Sequence, residues 1–220
     1  MSGDVIRVRE EIDKAIEGKT VLEFFERNTA LFGDRPALRR QTESGWETVT
    51  WREYGERAVE IGAGLRALGV KHGDFVAIMA RNVPEHVIAD AGALHAAATP
   101  VSIYNTLAPE QIAYIAKDCK AKVAVLENRE FAKRWAEIKD QLPALTAVVL
   151  IDDAEDFRYL GNVLSWDELI AKGRDALSKT PDLVKDAIAE ITPDDPATIV
   201  YTSGTTGPPK GVEITHRNVR

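Results

Sequence analysis

Cysteine is almost absent from this chain of 220 residues. The single thiol, Cys119, cannot form a disulfide within the chain, and one cysteine does not make a cysteine-based metal site. We interpret Cys119 as a small buried apolar residue. Because disulfides persist in oxidising compartments, their absence favours a reducing one, and we expect the protein in the cytoplasm.

An excess of positive charge and long apolar runs are also missing. The chain has 28 lysines and arginines against 35 acidic residues, for a net charge of −7, whereas a generic nucleic-acid binder carries a basic face. No apolar stretch approaches the roughly 20 residues of a membrane span. The charged beginning, MSGDVIRVREE, has no signal-peptide core. We predict no nucleic-acid partner and no transmembrane segment, and peripheral contact with a membrane stays open.

The first third of the chain has the pattern of two helices around a hairpin. Residues 1–69 predict a helix–hairpin–helix element. The first helix lies within 18–32, where apolar residues recur at helical spacing, and Thr20 is its predicted N-cap. Thr50 followed by Glu53 forms a capping box that opens the second helix. We expect this element to precede a separate α/β subdomain.

The remainder, residues 70–220, alternates short apolar strands with helices. This alternation is typical of βαβ units, so we predict an α/β fold with a mostly parallel sheet flanked by helices. The polar segment 152–190 carries a helix at 165–177 and predicts an excursion over the solvated surface. The predicted buried strands are 75–79, 99–103, 122–126, 147–151 and 198–201.

The string YTSGTTGPPKG, at 201–211, follows the last of these strands, and seven of its eleven residues are Gly, Ser or Thr. Glycines let the backbone approach an oxyanion closely, hydroxyls add donors, and Lys210 adds a mobile positive charge. Walker A requires Gly before the lysine and Ser or Thr after it, and the Rossmann fingerprint requires Gly where Thr206 stands. The pattern favours a phosphate site of another kind, and on composition alone a plain glycine-rich turn is the alternative.

This loop resembles the signature loop of the adenylate-forming superfamily, which includes acyl-CoA synthetases, nonribosomal peptide adenylation domains and firefly luciferase. Further segments resemble that family in the expected order, so the likeness covers most of 20–219. Within the superfamily, VSIYNTLAPEQIAYI followed by the loop is most similar to the long-chain fatty acyl-CoA ligases. These further segments are GDRPAL at 33–38, the stretch 50–97, VSIYNTLAPEQIAYIAKDCKAKVAV at 101–125, and TH-x-N at 215–218.

The resemblance implies an ATP-dependent ligase. In such enzymes a carboxylate attacks the α-phosphate of ATP, pyrophosphate leaves, and the thiol of coenzyme A then displaces AMP. The resemblance implies ATP, Mg²⁺ and coenzyme A as cofactors or co-substrates, and a carboxylic acid, here a fatty acid, as partner. It gives Lys210 a catalytic role and assigns pyrophosphate binding to Thr202, Ser203, Gly204, Thr205, Thr206, Gly207 and Lys210.

The chain departs from the family pattern in two ways. Glu213 stands where relatives carry an apolar residue, which predicts a more exposed or altered strand after the loop. The chain also ends before the family's later motifs, namely its adenine, ribose and magnesium residues and its C-terminal domain. We therefore expect an N-terminal fragment that is inactive alone. The alternative is a non-catalytic truncated module that pairs with or regulates a full-length relative.

The other notable residues have structural interpretations. The four histidines lack the spacing of a metal site, and we expect none. His216 is expected to help begin the helix after the loop. Gly62 and Gly64 interrupt a helical pattern and predict close helix packing. Trp46 and Trp51 flank a strand and are interpreted as packing residues.

Overall fold

The computed structural model describes residues 2–202 and 208–219. The helices are α1 Ser2–Ile16, α2 Val21–Phe32, α3 Trp51–Ala67, α4 Pro84–His95, α5 Pro109–Asp118, α6 Arg129–Ile138, α7 Trp166–Lys179, α8 Leu183–Ala189 and α9 His216–Val219. The strands are β1 Pro36–Thr42, β2 Gly45–Thr50, β3 Phe75–Met79, β4 Thr99–Ser102, β5 Val123–Leu126, β6 Ala147–Leu150, β7 Val163–Ser165, β8 Pro196–Thr202 and β9 Lys210–Thr215.

A five-stranded parallel sheet in the order β4-β3-β5-β6-β7 lies at the centre. The crossovers from β3 to β4, from β4 to β5 and from β5 to β6 each contain a helix, namely α4, α5 and α6. Two antiparallel hairpins, β1–β2 and β8–β9, stand beside this sheet. The predicted α/β fold, with a mostly parallel sheet flanked by helices, is confirmed.

The sheet is buried on both faces, and the strand sequences show why. Along β3, Val76 and Ile78 face one apolar cluster while Ala77 and Met79 face the other. This period of two is the pleat of a strand, and apolar residues at every position suit a sheet covered on both sides. Helices α5 and α6 cover one face, while α3, α4 and α7 cover the other.

Glycines allow the helices of the second face to approach one another. A Cβ on Gly62 would lie 2.7 Å from Cβ of His95, and one on Gly64 would lie 2.5 Å from the carbonyl oxygen of Leu169. A Cβ on Gly173 would lie only 1.9 Å from the carbonyl oxygen of Glu60. The prediction that Gly62 and Gly64 permit close packing is confirmed.

The prediction of a surface excursion over 152–190 is wrong. Strand β7 extends the sheet beside β6, and α7 packs on α3 with Leu169 and Gly173 buried. The acidic residues of this segment occupy only its outer side. The helix predicted at 165–177 is confirmed as α7, but charge counted over the whole segment concealed its apolar stripe, which is the usual pattern of a helix packed on a core.

The prediction that 198–201 forms one more buried strand is only half right. Ala197 and Ile199 are buried, but Val200 is 43% exposed, and β8 forms its ladder with β9. Pro100 in β4 and Pro196 in β8 have no N–H to donate where the two strands adjoin. Two threonine hydroxyls bridge the seam instead: Thr99 donates to the carbonyl of Pro196 at 3.0 Å, and Thr198 donates to the carbonyl of Pro100 at 3.3 Å.

Helices α2 and α3 begin where their capping residues predict. The backbone N of Thr20 donates to the Glu23 carboxylate at 2.6 Å, and Thr50 and Glu53 bond reciprocally at 3.2 and 2.8 Å. The packing role of Trp46 is wrong, because this side chain is 65% exposed at the hairpin end. Trp51 does pack, with ring centroids 6.1 Å from Phe25 and 6.0 Å from Tyr54.

The contact between α3 and α7 gives a first prediction. Gly→Ala inside a helix ordinarily stabilises by about 0.5–1 kcal/mol. We expect Gly173→Ala to destabilise instead, by about 1–3 kcal/mol, because overpacking displaces the backbone. Chemical denaturation measures the change. Lys172→Ala, at an exposed position of the same helix, is the matched control, and a Gly173→Ala protein as stable as this control would contradict the expectation.

Candidate phosphate-binding site

The hairpin β8–β9 presents the predicted phosphate loop. Thr202 pairs with Lys210 across the antiparallel ladder, so the two ends of the loop are held side by side. The structure thus brings together two of the predicted site residues. The others lie outside the described residues: Ser203, Gly204, Thr205, Thr206 and Gly207.

Lys210 is available to an anionic ligand. Its side chain is exposed, and within the described ranges it makes no ion pair. Thr202 beside it is exposed as well. An exposed ammonium and an exposed hydroxyl at the two ends of a Gly/Ser/Thr loop fit the chemistry of a polyphosphate, which requires several donors and positive charge.

Tyr201 anchors the end of β8 that leads into this loop. Its hydroxyl donates to the Asp118 carboxylate at 2.8 Å, which ties β8 to the end of α5. Its ring lies against Gly211 on the partner strand, where a Cβ would come within 3.2 Å of Cζ of Tyr201 and 3.0 Å of Cγ2 of Ile199. Burial, followed by the hydrogen bond to Asp118, raises the pKa of Tyr201, so the phenol stays a donor.

The opposite end of the hairpin, where β9 leads into α9, is anchored separately. His216 is 1% exposed, and its Nδ1 accepts a hydrogen bond from the backbone N of Val21 at 3.2 Å. The helix after the loop is begun by Thr215 and Asn218, whose side chains cap each other's backbone N at 3.1 and 3.3 Å. His216 therefore occupies the first position of α9, as expected, and its ring joins the hairpin to α2.

A cavity of about 750 Å³ adjoins the hairpin at the carboxyl edge of the parallel sheet. Its walls include Ile103, Ile115 and Ile199, with a polar group at His86, whose Nε2 lies 3.0 Å from Oγ of Ser102. In open α/β sheets, ligands are bound in the crevice beyond the carboxyl ends of the strands. The cavity therefore lies where the fold favours a binding site, next to the root of the loop.

An ion pair fixes the same edge of the sheet. Glu127 is 3% exposed at the end of β5, and its carboxylate accepts from the backbone N of Arg81 at 2.6 Å and from Nε of Arg81 at 2.7 Å. Burial alone would raise the pKa of Glu127, but the hydrogen bonds from Arg81 outweigh it and lower the pKa. The pair holds the turn between β3 and α4.

Among the described residues, no three side chains of His, Cys, Asp or Glu are grouped so that they could hold a metal ion. Within the same ranges no helix combines the length and apolar character needed to cross a bilayer. Cys119, predicted as a buried residue, is 5% exposed.

Comparison with known proteins decides the family. Residues 25–220 match the family described as AMP-binding enzyme. The chain belongs to this family. It is 32% identical over 201 residues to the long-chain-fatty-acid–CoA ligase ACSBG2 of Xenopus laevis, and 33% identical over 217 residues to ACSBG2 of Gallus gallus. These matches cover 91% and 97% of this chain but only 26% and 28% of the two relatives, so the chain spans about a quarter of their length.

Solved structures show the same relationship. The anthranilate CoA ligase AuaEII, in complex with anthranoyl-AMP, has a TM-score of 0.76 and 27% identity, covering 91% of this chain and 35% of that one. The acetoacetyl-CoA synthetase from Streptomyces lividans has a TM-score of 0.72 and 25% identity, covering 90% of this chain and 30% of that one. The resemblance to the adenylate-forming superfamily is confirmed.

Sequence reasoning missed the side chains that anchor the loop. Tyr201 is the first residue of the motif, and its partner Asp118 lies 83 residues earlier in the chain. A buried carboxylate such as Glu127, directly after an apolar strand, is a signal that could have been used, because charged residues are rarely buried without a partner. Exposed Glu213 on β9 does confirm that the strand after the loop faces solvent.

The Arg81–Glu127 pair predicts a dependence of stability on pH. Because the folded-state pKa of Glu127 is lowered, its contribution is fully present above the unfolded pKa of about 4.3 and is lost as pH falls through the folded value. We expect Glu127→Gln to lower the free energy of unfolding at pH 7 and to flatten its acid dependence below pH 5. Exposed Glu137→Gln is the control, and parallel acid profiles of wild type and Glu127→Gln would refute the assignment.

The bond between Tyr201 and Asp118 predicts a local effect. We expect Tyr201→Phe to lower the free energy of opening of the hairpin by about 1 kcal/mol, the usual net worth of one hydrogen bond. Hydrogen exchange of the amides of β8 and β9 measures this opening. Tyr159→Phe, at a tyrosine that is 72% exposed, is the matched control. If protection of β8 is the same in both variants, the bond does not hold the hairpin.

Proposed function

We propose that this chain supplies the polyphosphate-binding part of an ATP-dependent carboxylic acid–CoA ligase, and that the acid is a long-chain fatty acid. The observation that carries the proposal is the pairing of Thr202 with Lys210 at the two ends of the loop SGTTGPP, where Lys210 is exposed and makes no ion pair with any residue that the structure describes. The names of the relatives support the choice of acid, and the anthranoyl-AMP in AuaEII supports adenylate chemistry.

In the proposed first step, a carboxylate oxygen of the acid attacks the α-phosphorus of ATP. The bond between the α-phosphorus and the bridging oxygen breaks, pyrophosphate leaves, and an acyl-adenylate forms. In the second step, the sulfur of coenzyme A attacks the acyl carbonyl carbon and AMP leaves. The chain's own task lies in the first step, where negative charge accumulates on the leaving pyrophosphate.

The loop residues are suited to that task by their chemistry. Lys210 would place its ammonium on the β- and γ-phosphate oxygens, and the hydroxyls and backbone N–H groups of 202–207 would surround them. Donors that are held in place before the reaction cost no reorganisation when the charge develops. Tyr201 and His216 anchor β8 and the chain after β9, so the backbone of the hairpin that carries Thr202 and Lys210 is held in place. Mg²⁺, when bound with the nucleotide, would share this charge.

The cavity beside the hairpin is the proposed entrance to the reacting centre. It is bounded by Ile199 and Tyr201 on the loop side, so a ligand held there would be adjacent to the phosphates. We expect the 220 residues by themselves to give no turnover, since they span about a quarter of the length of the ligases they match. Formation of fatty acyl-CoA by purified 1–220 would overturn that expectation.

Replacing Lys210 tests the proposal. In the full-length enzyme, we expect Lys210→Ala to lower fatty-acid-dependent ATP–pyrophosphate exchange by about 10- to 1,000-fold, as for loss of one preorganised donor. The thermal midpoint should not change, because Lys210 is exposed. Lys133→Ala, at an exposed position on α6, should exchange at the wild-type rate.

Three results would separate the parts of the proposal. An unchanged exchange rate in Lys210→Ala would remove Lys210 from the mechanism. Exchange that requires another carboxylic acid, but not a fatty acid, would keep the phosphate site and reject the substrate. Full-length protein that gives no exchange with any acid tested would reject the ligase activity itself.

A further inference from the structure

A second cavity lies among the helices, between α2, α3, α7 and α8. Its volume is about 460 Å³, within the range of about 300–1,000 Å³ usual for small-molecule sites. No described residue of the β8–β9 hairpin lines it, so it is separate from the phosphate site. The apolar side chains of its wall include Phe25, Val59, Leu177, Val184 and Ile188.

His95 is the buried polar side chain of this cavity, with 2% of its surface exposed. Its Nδ1 lies 2.7 Å from the carbonyl oxygen of Ala91. A carbonyl oxygen can only accept, so Nδ1 carries the proton and Nε2 of the neutral ring presents a lone pair. Burial lowers the pKa of His95, although the bond to Ala91 opposes the shift, and the ring is therefore neutral at pH 7.

His95 lines the cavity, and its Nε2 is the ring nitrogen left without a partner among the described residues. Among the described residues Nε2 has no hydrogen-bond partner, and the edge-on Phe25 ring, 5.4 Å away between centroids, offers none. Within the same ranges, Nη1 of Arg66 is the one side-chain nitrogen or oxygen that has neither a hydrogen-bond partner nor contact with open space. Nε2 of His95 also lacks a partner, so it must have contact with open space. The cavity is the open space that His95 lines.

We propose that this cavity binds a small uncharged molecule with an apolar body and one hydroxyl group, which donates its proton to Nε2 of His95. The walls supply apolar contact, and Nε2, an acceptor without a partner in the part of the chain that the structure describes, supplies the polar anchor that orients a ligand. This site is independent of the proposed ligase function.

The polar groups of the cavity exclude other ligand classes. A carboxylate would bring its lone pairs against that of Nε2, and the hydroxyl of Thr29 already donates to the carbonyl of Glu26 at 2.7 Å. Lys185 could pair with a carboxylate, but its side chain is 82% exposed and lies 3.7 Å from Asp182, on the solvent side. Glu26 also lines the cavity, but its side chain is exposed to solvent, and an ammonium ion among the apolar walls would lose its hydration, which is costly for a charge.

Two matched probes test the proposal on the 220-residue chain. 2-Naphthol carries a donor, while 2-methoxynaphthalene keeps the ring system and has only an acceptor. An apolar cavity without a polar anchor would favour the more hydrophobic ether. We expect 2-naphthol to bind about tenfold more tightly, and its binding to shift the ¹⁵N resonance of Nε2 of His95 while the tautomer stays the same. Equal affinities, preference for the ether, or an unmoved Nε2 resonance would overturn the proposal.

Two variants complete the test. His95→Phe keeps a ring in place and removes the lone pair, so 2-naphthol should bind no more tightly than the ether. Should that variant fail to fold, Val59→Trp fills the cavity from its wall and should abolish binding of both probes. Val8→Trp, at an exposed position of α1, is the control that should bind both probes like the wild type. Unchanged 2-naphthol binding in Val59→Trp would place the ligand elsewhere and refute the site.

Discussion

Two threonine hydroxyls hold the loop-bearing hairpin on the parallel sheet, and the position of the candidate site depends on them. Thr99 and Thr198 each donate to a proline carbonyl across the seam between β4 and β8, at 3.0 and 3.3 Å. Since Pro100 and Pro196 have no N–H, a regular ladder cannot run through these positions. The seam joins β8 to the sheet edge while leaving its other backbone groups to pair with β9.

The hairpin is held at further points that do not depend on this seam. Tyr201 reaches Asp118 at the end of α5, and His216 accepts from Val21 at the start of α2. One contact lies near the loop and the other at the opposite end of the hairpin, and their partners, on α5 and α2, are far from the hairpin in sequence. Together they hold the backbone of the hairpin that carries Thr202 and Lys210, and a supported backbone is one requirement for a preorganised site.

Local patterns predicted the parts of the fold that local physics controls. The apolar runs at β3, β5 and β6, the capping box of Thr50 and Glu53, and the close packing at Gly62 and Gly64 follow from rules that act within a few residues. The parallel sheet followed from their alternation with helices. The motif at 201–211 correctly indicated the family, and the phosphate site within it stays a prediction.

The failures have one physical origin: they concern partners that are distant in the sequence. The burial of α7 depends on its meeting α3, whose Glu60 carbonyl excludes any side chain at Gly173. The separation of β8 from the parallel sheet depends on prolines at 100 and 196 coming together. The exposure of Trp46 depends on where the end of the β1–β2 hairpin lies relative to the other elements. None of these pairings leaves a periodic signal in either segment alone.

The placement of the loop in a hairpin has an electrostatic consequence for the proposed function. In the usual phosphate loops a strand leads into a helix, and the N-terminus of that helix contributes N–H groups and a partial positive charge. Here the chain leaves the loop through Pro208 and Pro209 and enters a strand, β9, at Lys210. A strand has little net dipole to offer an anion. In the proposed site the positive charge of the protein would therefore come from a side chain, and Lys210, the first residue of β9 and the partner of Thr202, is the lysine at the end of the loop.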